Sequence, residues 1–252
     1  MTNLIDTLER DNALFKVRTE PLTHNGQIVP DRFAQIREDN RKVIGIVGKN
    51  YKTVNHVETL TNVHNLLQKI SPSMEVNTTI IRGGKLITQF ALNDLLFMGG
   101  SSNEKAVPSI VIKNSYDGST RFEALMGVVR LICSNGAFIM DIADKILRTK
   151  HQGTLNETNF YSSVPSMISR NTQAYTVLYK TLDGMEILKW DDPSLLRMGK
   201  RIVETANGTY IAEGGKTRWD QYNAFTHTLT HRDSNFDSKF VSHSMLNACL
   251  LA

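Results

Sequence analysis

Residues 110–139 read IVIKNSYDGSTRFEALMGVVRLICSNGAFI and decide the fold. An apolar run opens the stretch and is followed by Asp117-Gly118, which precedes a second apolar arm. An Asp-Gly pair between two apolar segments is a strong hairpin signal, because glycine tolerates the positive φ of a tight turn. The second arm alternates with period two at Phe122, Ala124, Met126 and Val128. The stretch therefore predicts the centre of an antiparallel sheet.

The segments before this centre predict further hairpins and one helix. Residues 41–54 form two apolar runs around Gly48-Lys49-Asn50, and residues 75–92 turn at Gly83-Gly84. Between them, residues 55–70 carry apolar side chains at helical spacing, with Asn55 as the N-cap. Residues 33–37 fit a strand or a short helix equally well.

The segments after the centre predict helices. The first covers residues 139–147, where Ile142, Ile146 and Leu147 share a helical face. The others cover residues 159–190 with a break at 183–184, 192–206, 217–231 and 237–251. Asp192-Pro193 begins the helix at 192, and Asn207-Gly208 is a stop signal.

The predicted class is α+β, with an antiparallel sheet of successive hairpins and a packed helix, followed by a helical C-terminal part. The division of the chain is a β-rich core over residues 1–153, which contains the helix at 55–70, and a mainly helical part over residues 154–252.

The amino-acid composition limits the partners and the cellular location that can be expected. The chain has 252 residues, a formal net charge of +4 and a pI near 9.0, so an anionic partner is permitted without being required. Two distant cysteines, Cys133 and Cys249, give neither a disulfide framework nor a CxxC metal site. No window is apolar enough for a membrane helix. We expect a cytoplasmic protein, in the host cell if a phage encodes it, with no membrane partner.

Catalytic motifs are weak. His227 and His231 are four residues apart on a predicted helix, but a third metal ligand is missing from the pattern. Cys133 has no neighbouring base, and no phosphate-binding glycine motif occurs, since residues 213–217 (EGGKT) lack the first glycine of a P-loop. We expect no catalytic residue, no metal and no cofactor. A metal-dependent nuclease is the minor alternative, with carboxylates at Asp117, Glu123, Asp141 and Asp144.

The basic and aromatic residues of the β-rich half point to a different chemistry. Cations that follow phosphates, with aromatic rings that stack on bases, suit single-stranded nucleic acid. The candidate binding residues lie at turns or within strands: Lys49, Tyr51, Lys52, Arg82, Lys85, Lys113, Tyr116, Arg121 and Arg130. The alternative is that they are solvated hairpin tips.

Three segments together resemble one known family. Residues 45–60 (GIVGKNYKTVNHVETL), 114–137 (NSYDGSTRFEALMGVVRLICSNGA) and 217–232 (TRWDQYNAFTHTLTHR) are similar to motifs of the phage- and plasmid-borne domain of unknown function 932. That resemblance implies a mobile-element context but no settled activity. A weaker likeness of the successive hairpins and packed helix is to phage single-strand annealing recombinases, which form rings or filaments.

The basic and aromatic residues, together with this weaker likeness, imply an ATP-independent protein that binds and anneals single-stranded DNA in recombination or replication, working as a homo-oligomer in the form of a ring or filament. The alternative is a protein-interaction module, for example one that counters host defence, without nucleic-acid binding. Its apolar surface patch would use Trp190, Trp219 and Tyr222.

Overall fold

A computed structural model describes residues 4–81, 84–95, 97–99, 104–130, 138–149, 157–232, 245–246 and 249–250. The chain divides into two compact units. Unit 1 comprises Met1–Leu95, Ser109–Met126 and Asp144–Ile168, and unit 2 comprises Leu96–Pro108, Gly127–Ala143 and Ser169–Ala252. Both units are discontinuous in sequence. The single boundary after residue 153 stays a prediction.

Unit 1 begins with helix α1 (Leu4–Arg10) and a three-stranded antiparallel sheet. Its strands are β1 (Val17–His24), β2 (Gln27–Arg37) and β3 (Val43–Gly48), in that order. Asn25 and Gly26 join β1 to β2 with φ of 50° and 77°, the positive values of a two-residue hairpin turn.

Two predictions in this region are settled by the structure. Residues 33–37 belong to β2 and are therefore strand. The second strand predicted within residues 41–54 is wrong, because residues 51–55 have no regular structure. Their backbone and side chains bond instead to neighbouring elements of unit 1.

Helix α2 (His56–Gln68) follows, and the Asn55 side chain accepts a hydrogen bond from the backbone N–H of Glu58, as predicted for the N-cap. A second sheet of six strands follows, and its first four strands pair antiparallel. Its strands are β4 (Glu75–Ile81), β5 (Lys85–Ala91), β6 (Phe97–Gly99), β7 (Glu104–Ser115), β8 (Phe122–Arg130) and β9 (Phe138–Thr149). Their order is β4-β5-β7-β8-β9, and β6 pairs with β7.

The helix predicted over residues 139–147 is wrong, since these residues lie within β9. Ile142 and Ile146 are four residues apart, a spacing that places side chains on one face of a helix and also on one face of a strand. Hydrogen bonding of β9 to β8 decides between the two.

The core of unit 1 confirms the alternation in β8. Phe122, Ala124 and Met126 are almost fully buried in one cluster. The same cluster takes apolar side chains from neighbouring strands and from α2, among them Leu86, Phe90, Ile110, Ile112, Leu60, Val63 and Leu67. Burial of this kind contributes roughly 1.5–3 kcal/mol for each large side chain.

The helices after β9 are α3 (Glu157–Asp183), α4 (Pro193–Leu196), α5 (Lys200–Ala212) and α6 (Arg218–Arg232). The α+β class is confirmed. The predicted helix at 192–206 is instead divided between α4 and α5 at Gly199, whose φ is 98°. The stop signal at Asn207-Gly208 is wrong, because both residues lie inside α5. Gly208 costs a helix about 1 kcal/mol, and the buried neighbours Ala206 and Tyr210 offset that cost.

Unit 2 has a core of its own that is rich in aromatic rings. Trp219 and Tyr222 are fully buried and their rings stack at 5.5 Å between centroids. Trp190 is partly buried and stacks on Phe225 at 5.6 Å. The apolar surface patch expected from Trp190, Trp219 and Tyr222 is therefore wrong, because these rings serve the core. The predicted helix at 237–251 falls mostly outside the described residues.

Candidate nucleic-acid interface

The loop of residues 116–121 joins β7 to β8, and local hydrogen bonds fix its conformation. The Ser115 hydroxyl accepts a hydrogen bond from the Thr120 N–H at 3.1 Å and donates one to the Thr120 carbonyl at 2.9 Å. The Asp117 carboxylate accepts one from the Ser119 N–H at 2.9 Å. The predicted Asp-Gly turn is present, but the connection has six residues rather than two.

Backbone contacts fix this loop against two other parts of unit 1. The Tyr116 N–H donates to the Gly84 carbonyl at 3.1 Å, which ties the loop to the turn between β4 and β5. On β3, a Cβ added to Gly45 would lie 2.5 Å from Asp117 Cα and 2.6 Å from the Tyr116 carbonyl oxygen. Only glycine permits so close an approach of two backbones.

The segment between β3 and α2 is hydrogen-bonded to the last residues of β7, directly before the same loop. The Tyr51 hydroxyl donates to the Ser115 carbonyl oxygen at 2.5 Å. The Asn114 amide donates to the Val54 carbonyl oxygen at 3.1 Å. Burial raises the pKa of Tyr51 above its ordinary value, so the hydroxyl stays protonated and keeps donating at neutral pH. Tyr51 is therefore held in a fixed position, half-buried, beside the loop.

Tyr116 does not fit the predicted role of stacking on a base. Its side chain is 1% exposed and belongs to the core of unit 1. Its hydroxyl accepts the backbone N–H of His56 at 2.9 Å, and burial raises the pKa of Tyr116 to about 12. His56 is itself buried, which lowers the pKa of its imidazole to about 3 and leaves the ring neutral. Both residues hold α2 to the sheet.

Lys113 does not fit the predicted role of holding a phosphate. It lies on β7 with its side chain buried, and its ammonium nitrogen is 3.6 Å from a carboxylate oxygen of Glu123 on β8. A buried ion pair costs several kcal/mol if one charge is removed, because the other is left without its counter-charge. The pair is therefore part of the sheet interior.

The structure describes the side chains of some of the remaining candidate binding residues but not of all. Lys49, Lys52 and Arg121 are exposed, and Lys85 is half-buried. In the ladder between β5 and β7, Lys85 lies opposite Ser115, the residue whose carbonyl oxygen Tyr51 contacts. Arg82 and the side chain of Arg130 lie outside the described residues. The backbone positions of Tyr51 and Lys85 thus lie next to the loop of residues 116–121, which contains Arg121.

A cleft of about 430 Å³ lies beside these residues, at the end of β3. Its lining residues are Pro30, Asp31, Arg32, Gly48, Lys49, Asn50 and Tyr51. Sequence reasoning identified Lys49 and Tyr51 but missed Asp31 and Arg32. The sequence does contain a pattern that could have pointed to them, because Pro30-Asp31 within an apolar stretch indicates an irregular strand. The irregularity is real, since Asp31 has a φ of 58°.

The structure describes some of the side chains that the sequence suggested for a metal site or for catalysis. Within the described residues, no three His, Cys, Asp or Glu side chains are arranged to hold a metal. Of the proposed nuclease carboxylates, Asp117 caps its own loop and Glu123 pairs with Lys113. The side chains of Asp141, Asp144, Cys133 and His231 lie outside the described part. Among the helices that the structure describes, none has the length and apolarity needed to span a bilayer.

Residues 43–160 match the family model described as Domain of unknown function (DUF932). The similarity to this family covers just under half of the chain. The match begins at the first residue of β3 and includes the loop of residues 116–121. It contains the first two segments on which the family resemblance rests, whereas residues 217–232 lie beyond it. No solved structure matches the chain. Asp31 and Arg32 of the cleft precede the DUF932 match.

Proposed function

We propose that the surface around the loop of residues 116–121 binds single-stranded DNA. This basic surface consists of Lys49, Lys52, Lys85 and Arg121, with Tyr51 among them. The observation that carries the proposal is the attachment of three separate segments to one loop, because the basic residues and Tyr51 lie on or next to these segments, at positions up to 72 residues apart in sequence. Arg82 and Arg130 stay candidates.

The chemistry of these side chains suits a polyanion read without regard to sequence. Lysine and arginine neutralise backbone phosphates, and an aromatic ring provides a stacking face to any base. Tyr51 is already fixed by its hydrogen bond to Ser115, so little side-chain entropy is lost when a base contacts its ring. Gly118 lies beside that ring, because a Cβ added there would be 3.6 Å from the Tyr51 Cε2 atom.

The biological role we propose is annealing of complementary strands during recombination or replication in the cytoplasm, without nucleotide hydrolysis, cofactor or catalytic residue. A single basic surface of this size gives weak binding. An oligomer that aligns many copies along one strand would multiply the effective affinity without any new type of contact.

Arg121→Gln tests this surface. We expect the dissociation constant for single-stranded DNA to rise on the order of fivefold at low salt, equally for all sequences, because one phosphate contact is lost. The slope of log affinity against log salt should fall by about 0.7. Fluorescence anisotropy of labelled oligonucleotides measures both. Arg201→Gln, which removes an exposed arginine from α5, is the matched control and should bind like wild type. Equal affinities for the two variants would exclude Arg121 from the surface.

A second candidate function is a protein-interaction module, such as one that counters host defence. The observation that favours it is the exposure of Val43 and Ile46 on β3 and of Ile28 on β2. Exposed apolar side chains on a sheet suit contact with another protein. Absence of DNA binding at low salt, together with loss of a protein contact in Ile46→Lys, would favour this candidate.

A further inference from the structure

The cleft at the end of β3 carries more positive than negative groups. Arg32 lies opposite Gly48 in the ladder between β2 and β3, and Lys49 follows Gly48 directly. These two cations line the cleft together with Asn50 and Tyr51. The single acidic residue of the lining is Asp31.

Asp31 occupies the position in which a bound anion would be expected. Its carboxylate oxygen lies 3.2 Å from the Lys49 ammonium nitrogen. The side chains of Lys49 and Asp31 are 59% and 65% exposed, so water screens their attraction and the pair is weak. An incoming phosphodiester, whose single negative charge is shared by two non-bridging oxygens, can therefore compete with the carboxylate for Lys49 while it also contacts Arg32.

We infer that this cleft is a nucleotide-binding subsite, in which a phosphate contacts Lys49 and Arg32 and the attached base contacts the ring of Tyr51. The inference rests on the proposed function, because it assigns one nucleotide of the bound strand to a place on the basic surface. The volume of about 430 Å³ falls in the range of small-ligand pockets. Asp31 then acts as an internal competitor that keeps the affinity for each nucleotide low.

Asp31→Asn tests the competition without disturbing the fold. Asparagine tolerates the positive φ at this position at least as well as aspartate. The variant should bind labelled oligo-dT about threefold more tightly than wild type, because Lys49 loses its internal counter-charge. Lys49→Gln should weaken binding by a similar factor. The readout is fluorescence anisotropy at an ionic strength of about 0.1 M, where the Debye length is about 10 Å.

Glu38→Gln is the control for net charge. Glu38 is an exposed acid that follows the other end of β2, roughly 20 Å from Arg32 by the rise of a strand. This separation exceeds the Debye length of about 10 Å, so its charge is largely screened at the cleft. Glu38→Gln should bind oligo-dT like wild type. A gain equal to that of Asp31→Asn would show that net charge alone is responsible, and would overturn the inference.

Thymidine 5′-monophosphate separates the two proposals. Titrated into ¹⁵N-labelled protein, it should shift the amide resonances of Gly48 and Asn50. If oligo-dT binds but Asp31→Asn equals wild type and the monophosphate causes no shift, the subsite is wrong and the proposed function stands. If the monophosphate shifts those amides while oligo-dT fails to bind, the cleft binds a free nucleotide, and both single-strand binding and the assignment of the cleft to a bound strand are wrong. Failure of both probes contradicts both.

Discussion

Gly45→Ala is expected to lower the free energy of unfolding by about 3 kcal/mol, the upper end of the range for overpacking. The new methyl group would lie 2.5 Å from Asp117 Cα and 2.6 Å from the Tyr116 carbonyl oxygen. Both are backbone atoms, so no side-chain rotation can relieve the contact. Either β3 or the loop of residues 116–121 has to move, which strains the hydrogen bonds that fix that loop.

Gly48→Ala is the matched control for this result. Gly48 lies on the same strand, and an added Cβ there would have no atom within 4 Å. Alanine also lowers the conformational entropy of the unfolded chain relative to glycine. The free energy of unfolding of this variant should therefore be unchanged or slightly higher than that of wild type. Urea denaturation followed by circular dichroism measures both. Similar stabilities for the two variants would contradict the close contact between β3 and the loop.

Trp219→Ala should lower the free energy of unfolding by about 4 kcal/mol, as is usual for a large buried aromatic. Trp219 is fully buried, and its ring contacts those of Tyr175, Tyr179 and Tyr222 at centroid distances of 5.6, 5.2 and 5.5 Å. Removal leaves a cavity in the core of unit 2 that its neighbours cannot fill without leaving their own contacts.

Trp190 remains as the intrinsic fluorescence probe in that variant, so unfolding can be followed in the same way as in wild type. Val177→Ala is the control, because Val177 is 62% exposed on α3 and its truncation should cost less than about 0.5 kcal/mol. A loss below about 1 kcal/mol for Trp219→Ala would contradict its place in the core and restore the interpretation of Trp219 as a surface residue.

Local signals were enough to predict much of the fold. The turn at Asp117-Gly118, the cap at Asn55 and the alternation of Phe122, Ala124 and Met126 each depend on residues close together in sequence. The helix predicted at 139–147 failed because a four-residue spacing fits both periodicities, and pairing with β8 is not a local property. The stop predicted at Gly208 failed because buried neighbours outweighed the propensity of glycine.

The candidate site was harder to predict, since exposure is set by packing between distant segments. Lys113 and Tyr116 have the residue types expected of a nucleic-acid surface, but Glu123 and His56 engage them inside unit 1. Arg32 enters the cleft only because β2 and β3 align it with Gly48. The polar residues Asn114 and Ser115, which invite a functional interpretation, anchor the loop instead.

The measurement that tests the central claim most directly is fluorescence anisotropy of labelled single-stranded DNA, titrated with wild-type protein at several salt concentrations beside a duplex of the same sequence. We predict binding that prefers the single strand and falls steeply as salt rises, because phosphate contacts release counterions. No binding at low salt, or binding that favours the duplex, would contradict the claim that this protein binds single strands.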